Sequence, residues 1–163
     1  MAINLGIAEI LQLVSKEKSR KQQVKILQQN SSGTLKMVLG YAFDPGVVWL
    51  LPEGIPQDPE TKEYMFTLQP KSAGLQNQLF AETAKMGLFL KGNPEYDVPR
   101  EPKNQKQWDV KRETIFLDML SPLDPDDALL MCDVKDKHIS YNGVTAKLTA
   151  LAFPNLTKNW DNV

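Results

Sequence analysis

Apolar residues recur at helical spacing in short runs, and each run is cut off by proline, glycine or a polar cluster. That pattern admits helices of a few turns and little else. Ile7, Ile10, Leu11 and Val14 stand at i, i+3, i+4 and i+7, which sets them on one face of a helix expected from about Asn4 to Val14. Ser19 is placed to cap a second helix through Gln29, with Val24, Ile26 and Leu27 turned inward and Arg20, Lys21 and Lys25 toward solvent. Leu35, Val38, Leu39 and Ala42 stripe a third helix. It stops near Asp44-Pro-Gly46, because proline lacks an amide hydrogen and restricts the residue before it. A short fourth helix is expected over 47–51, ending at Pro52.

Residues 52–70 are dense in proline, glycine and charge and predict a long loop, interrupted by an apolar stretch, Glu63-Tyr-Met-Phe-Thr-Leu68, that suits a short strand or an irregular anchor. Leu75 to Leu90 predicts another helix. A second long loop is expected over 92–106, which holds three prolines. A helix from about Trp108 to Leu120 follows. Asp124-Pro-Asp-Asp127 then supplies an N-cap carboxylate, a proline at the first helical position and acids in the first turn, all matched to the free amides of a helix over 125–136. Asn142-Gly143 is a turn, and Ala146, Leu148, Leu151 and Ala152 shape a last short helix closed by Pro154. The expected fold is therefore all-α, a compact bundle of about seven or eight short helices with two long proline-rich loops, in one domain spanning 1–163.

Several chemistries lack their residues. The single histidine, His138, and the single cysteine, Cys132, cannot assemble a four-ligand zinc site. Cys132 lies in the apolar run Ala128-Leu-Leu-Met-Cys132 and reads as core filler, and His138 as a helix-end or surface residue. No phosphate-binding glycine loop and no Gly-x-Ser-x-Gly elbow occurs. Helix capping accounts for Asp124, Asp126 and Asp127 without a metal or an acid/base pair. The chain is read as non-enzymatic, with no cofactor and no metal. Its longest apolar runs fall far short of the roughly 20 residues that span a bilayer, and its start has no signal-peptide pattern, so no membrane partner and a cytoplasmic location are expected.

Net charge is −1, yet its distribution is uneven. Residues 1–42 carry six Lys/Arg against two acids (+4), 43–70 one against five (−4), 71–112 eight against five (+3), and 113–163 four against eight (−4). Alternating blocks of this kind can build a surface with one side attractive to phosphate; they also arise from ordinary solvated helix faces.

The order of segments carries a resemblance. Ile7-Ala-Glu-Ile-Leu11, then Ser19-Arg-Lys-Gln-Gln-Val-Lys-Ile-Leu-Gln-Gln-Asn30, then Leu35-Lys-Met-Val-Leu39, and finally Ala152-Phe-Pro-Asn-Leu156 where the ligases have Trp-Pro-Gly-Leu, resemble the helical N-terminal DNA-binding domain of ATP-dependent DNA ligases from T-even-type bacteriophages. The match covers roughly 5–51 and 124–157 and is poor over 52–106. It implies an all-helical domain that grips duplex DNA, nicked or intact, through phosphates and the minor groove, in a bacteriophage protein acting in replication, repair or genome protection. The ligase nucleophile motif, Lys-x-Asp-Gly, does not occur, so nick sealing by that route is excluded. Carried over by position, the DNA-contacting candidates are Arg20, Lys21, Lys25 and Lys36; Lys103, Lys106, Lys111 and Arg112 form a second basic cluster from the unmatched middle. Asp44-Pro-Gly46 departs from the ligases, which are basic or polar there.

A second function class stays open: a protein-interaction module docking on a phage or host replication, transcription or host-defence protein. Its motivation is the near-neutral total charge, the acidic C-terminal third and the tryptophans Trp49, Trp108 and Trp160, a residue type enriched at binding hot spots. Gln76-Asn-Gln-Leu-Phe80 is also similar to the short peptide by which bacterial proteins bind a sliding clamp.

Overall fold

A computed structural model describes residues 5–93 and 102–160, with side chains for all of these except 102 and 103. The described residues are all-α: α1 (Ile7–Lys16), α2 (Arg20–Gln29), α3 (Gly33–Phe43), α4 (Gln78–Glu82), α5 (Pro102–Leu120), α6 (Pro125–Lys135), α7 (Ala146–Ala152) and α8 (Pro154–Thr157). No sheet forms among them; two isolated antiparallel bridges, Trp49 with Leu90 and Gln57 with Tyr64, are the extent of β pairing.

The apolar stripes of α1 and α3 land where their spacing put them, whereas Leu151 of the last stripe is 49% exposed. Ile7, Ile10, Leu11 and Val14 of α1 meet Leu35, Val38 and Leu39 of α3 and Leu130, Met131 and Val134 of α6 in one core. Each such Leu or Ile contributes about 1.5–3 kcal/mol by leaving water. α1 packs on α2 and α6, α3 on α6, and α7 on both α2 and α8. Cys132 is buried in this core, and burial pushes its thiol up to about 12, so it is packing material rather than a nucleophile.

Several helix ends are closed locally. Ser32 Oγ accepts from the Leu35 amide at 3.0 Å, Thr145 Oγ1 from Leu148 at 3.1 Å, and Asp124 Oδ1 from Asp126 at 2.9 Å. Others are closed from far along the chain. At the start of α1, Asp127 Oδ1 accepts from the Ala8 amide at 2.9 Å, while Glu9 Oε1 accepts from Gly6 at 3.1 Å. At its end, Gln23 Nε2 donates to the Val14 carbonyl at 3.2 Å. Gln28 Nε2 does the same for Ala152, the last residue of α7, at 3.0 Å. Lys137 Nζ donates to Tyr41 O and Asp44 O at 3.0 and 2.7 Å, satisfying carbonyls left over at the end of α3.

Four sequence expectations need correction. Residues 47–51 are extended rather than helical: Leu50 N–H donates to Phe89 O at 2.8 Å and Lys91 N–H to Val48 O at 2.8 Å, so this stretch pairs with the chain at Leu90. The expected helix over Leu75–Leu90 is broken into a 3₁₀ turn at Leu75–Asn77, α4, and a 3₁₀ segment at Thr83–Phe89. Thr83 Oγ1 bonds back to the carbonyls of Leu79 and Phe80 at 3.1 Å each, at the point where the helix tightens. The expected loop over 92–106 falls largely on 94–101, outside the described residues, and α5 already begins at Pro102, a proline suited to a first helical turn. Pro154 does not only close α7; it opens α8 as its first residue.

Candidate nucleic-acid interface

The basic residues of α2 owe their position to its glutamines. Gln23 and Gln28 are engaged by the carbonyl ends of α1 and α7, and Leu27 is fully buried, so α2 is fixed with Arg20, Lys21 and Lys25 exposed. Lys21 and Lys25 lie one turn apart on the same face. Lys36 on α3 is exposed as well, its Nζ 5.5 Å from the centre of the Phe153 ring at the junction of α7 and α8.

Two further cations join them. Lys147 on α7 and Lys158 directly after α8 are exposed, on helices that pack against α2 and α3. The helices α2, α3, α7 and α8 contain no Asp or Glu, and none of Arg20, Lys21, Lys25, Lys36, Lys147 and Lys158 forms an ion pair among the described residues. Among the described residues, these packed helices therefore carry exposed cations and no acid of their own. Lys147 and Lys158 were not legible in the sequence because eight acids elsewhere in 113–163 hid them in the block total, although 137–160 holds no acid. Asp44 lines a hollow of about 220 Å³ together with Lys36, Tyr41 and Trp160; its Oδ1 accepts from the Gly46 amide at 2.8 Å.

The acidic segment after Asp44 is tied to the end of α6 at 52–54. Lys135 Nζ, on a side chain 1% exposed, donates to Pro52 O at 2.7 Å, Gly54 O at 2.9 Å and Asp136 Oδ1 at 2.6 Å, and Asp136 Oδ2 accepts from Gly54 N–H at 2.9 Å. These bonds pin 52–54 to the end of α6.

The second basic cluster is not brought together. Arg112 is buried, with Nη1 donating to Leu50 O at 3.3 Å and to Asp109 Oδ1 at 3.1 Å; it ties α5 to the extended stretch and is withdrawn from any surface role. Lys111 lies over the Trp108 ring at 4.8 Å and Lys106 is exposed on the same helix. Lys103 lies in the first turn of α5, its side chain outside the described residues.

The tryptophans do not form an exposed set. Trp49 is in the core: its Nε1 donates to Tyr41 O at 3.1 Å and its ring stacks on Phe89 at 6.4 Å. Trp108 and Trp160 are half-buried. In the clamp-like stretch Leu79 is fully buried and 75–82 is helical, so that segment is committed to the fold.

The three aspartates at the start of α6 have separate surroundings. Lys71 Nζ sits 2.6 Å from Asp126 Oδ2 and 3.3 Å from Asp124 Oδ1; its hydrogen bond holds the Asp126 carboxyl below the usual range, and Asp126 in return raises Lys71. Asp127 is buried, and that burial pushes it up to about 7. Among the described residues no group of three or more His, Cys, Asp or Glu could hold a metal ion, and no helix is long and apolar enough to cross a membrane.

These features define an all-α protein in which four packed helices carry exposed cations and no Asp or Glu. Within that class, the chain belongs to a family of unknown function, DUF6433, whose model matches residues 10–141. No curated protein and no solved structure matches it.

Proposed function

We propose that the protein is a non-catalytic, largely sequence-independent binder of double-stranded DNA, working in replication, repair or genome protection of a bacteriophage, in the host cytoplasm. The observation that carries this reading is that α2, α3, α7 and α8, which pack on one another, contain no Asp or Glu, while Arg20, Lys21, Lys25, Lys36 and Lys147 on them and Lys158 just after α8 are exposed. A duplex presents a phosphate about every 1.7 Å of axis, and cations on several short helices can follow such a strip without reading bases. The resemblance of 5–51 and 124–157 to the ligase DNA-binding domain supports the same reading, since α1 to α3 and α6 to α8 fall within those segments.

Fluorescence anisotropy on intact and nicked duplexes at about 50 and 200 mM salt tests it. Contact with about four to six phosphates gives a slope of log affinity against log salt near −0.9 times that number. Absence of binding at about 50 mM salt would remove the assignment.

A further inference from the structure

A groove of about 320 Å³, lined by none of the DNA-contacting candidates of α2, α3 and α7, runs between α5 and the chain from Leu51 to Gln57. We infer that this groove is a docking site for a short amphipathic helix of another protein, one with apolar anchors on one face and Lys or Arg on the flanks.

The apolar part is preformed and uncovered. Ile55, Met65 and Val110 line it and are 37%, 59% and 52% exposed, large apolar side chains of the kind that a folded chain normally hides in contiguous groups. Val110 and Leu117 both line it from α5 and stand two turns apart, about 10 Å along the axis, enough for two anchors of a partner helix. The opposite wall is rigid. Lys135 and Asp136 pin Pro52 and Gly54, and Met65 N–H donates to Pro56 O at 3.0 Å, closing residues 56–65 into a small hairpin. A wall already ordered loses little conformational freedom on binding. Met65 adds a flexible, polarisable surface that adapts to its ligand.

Charge selects the occupant. Glu53 and Glu113 line the groove, and the hairpin beside it carries Asp58, Glu60 and Glu63 against Lys62. Lys135, at the inner end, has its charge matched by Asp136. Such an acidic rim repels phosphate and favours a cationic peptide.

The test uses a fluorescein-labelled peptide of about twelve residues with leucines at i, i+4 and i+7 and lysines on the other face, beside a twin carrying glutamates instead. Anisotropy should show the lysine peptide binding and the glutamate twin not binding. Val110→Asp should weaken the lysine peptide by about tenfold or more, although it adds negative charge that would strengthen mere electrostatic attraction. Glu53→Lys with Glu113→Lys should reverse the preference between the peptides. Met65→Asp serves as a second probe if circular dichroism shows Val110→Asp misfolded. Equal binding of both peptides, binding unchanged in Val110→Asp and Met65→Asp, or no binding at all would overturn the inference. So would sedimentation showing a wild-type dimer that Val110→Asp dissolves, since the occupant would then be a second copy. Duplex-DNA affinity should be unaltered in Val110→Asp, so the two surfaces fail or succeed independently.

Discussion

Asp127 Oδ1 accepts the amide hydrogen of Ala8 at 2.9 Å across 119 positions of sequence, so the first turn of α6 caps an amide of α1 that its own N-cap residue does not. Gly6, the N-cap residue of α1, has no side chain with which to do this. Asp127→Ala is expected to cost about 1–3 kcal/mol, the penalty of an unmet buried amide, measured as a shift in urea midpoint at constant slope.

The same carboxyl sets a pH dependence. Burial raises it to about 7, above its ordinary value of 3.8, so between those two values the folded state holds a proton that the unfolded state releases. Its contribution therefore falls as pH rises from about 4 to about 7 and is level beyond. Urea titrations from pH 5 to 8 should show a decline that is smaller in Asp127→Asn; an identical decline in the variant would place its origin elsewhere.

Gly6 is required by closeness. A Cβ there would lie 2.6 Å from Gln76 Cβ and 3.1 Å from Glu9 Oε1, and the first of these cannot swing aside without moving its backbone. Gly6→Ala should cost about 1–3 kcal/mol in thermal or chemical unfolding.

Lys135 is a structural lysine. Its buried ammonium bridges two carbonyls and a carboxylate, and Lys135→Met leaves those acceptors without a donor. A loss of about 3 kcal/mol is expected, with faster proteolysis in 52–63 as the local readout.

Two sets of basic residues should separate in DNA binding. Arg20→Gln, Lys21→Gln and Lys25→Gln together should flatten the salt slope by about 0.9 for each phosphate that is no longer neutralised, with unfolding nearly unchanged. Arg112→Gln should do the reverse: a fall in stability of about 1–3 kcal/mol with the slope intact.

What could be read in the sequence was what adjacent residues decide. Apolar spacing located α1, α2 and α3, and Asp124 caps α6 as its position indicated, whereas Ser19 stands at the N-cap of α2 without a side-chain cap bond. The segments that mislead share a cause. Val47–Leu51 has an apolar run too short to distinguish helix from strand, and its partner at Leu90 decided the matter. Arg112 looked like surface charge, because nothing near it in sequence reveals that Leu50 O would lie beside it. The cations were half visible: Arg20, Lys21, Lys25 and Lys36 stood in one block, while Lys147 and Lys158 follow from the packing of α7 and α8 on α2 and α3.

The long-range caps carry a consequence for synthesis. As the chain leaves the ribosome, α1 emerges without Asp127, α3 without Lys137, and α2 without the Ala152 carbonyl that holds Gln28. The first forty-odd residues therefore wait, as fraying helices, until more than a hundred others have been made. Folding is then a late step that must bring distant parts together, slower than in bundles whose neighbours in space are neighbours in the gene.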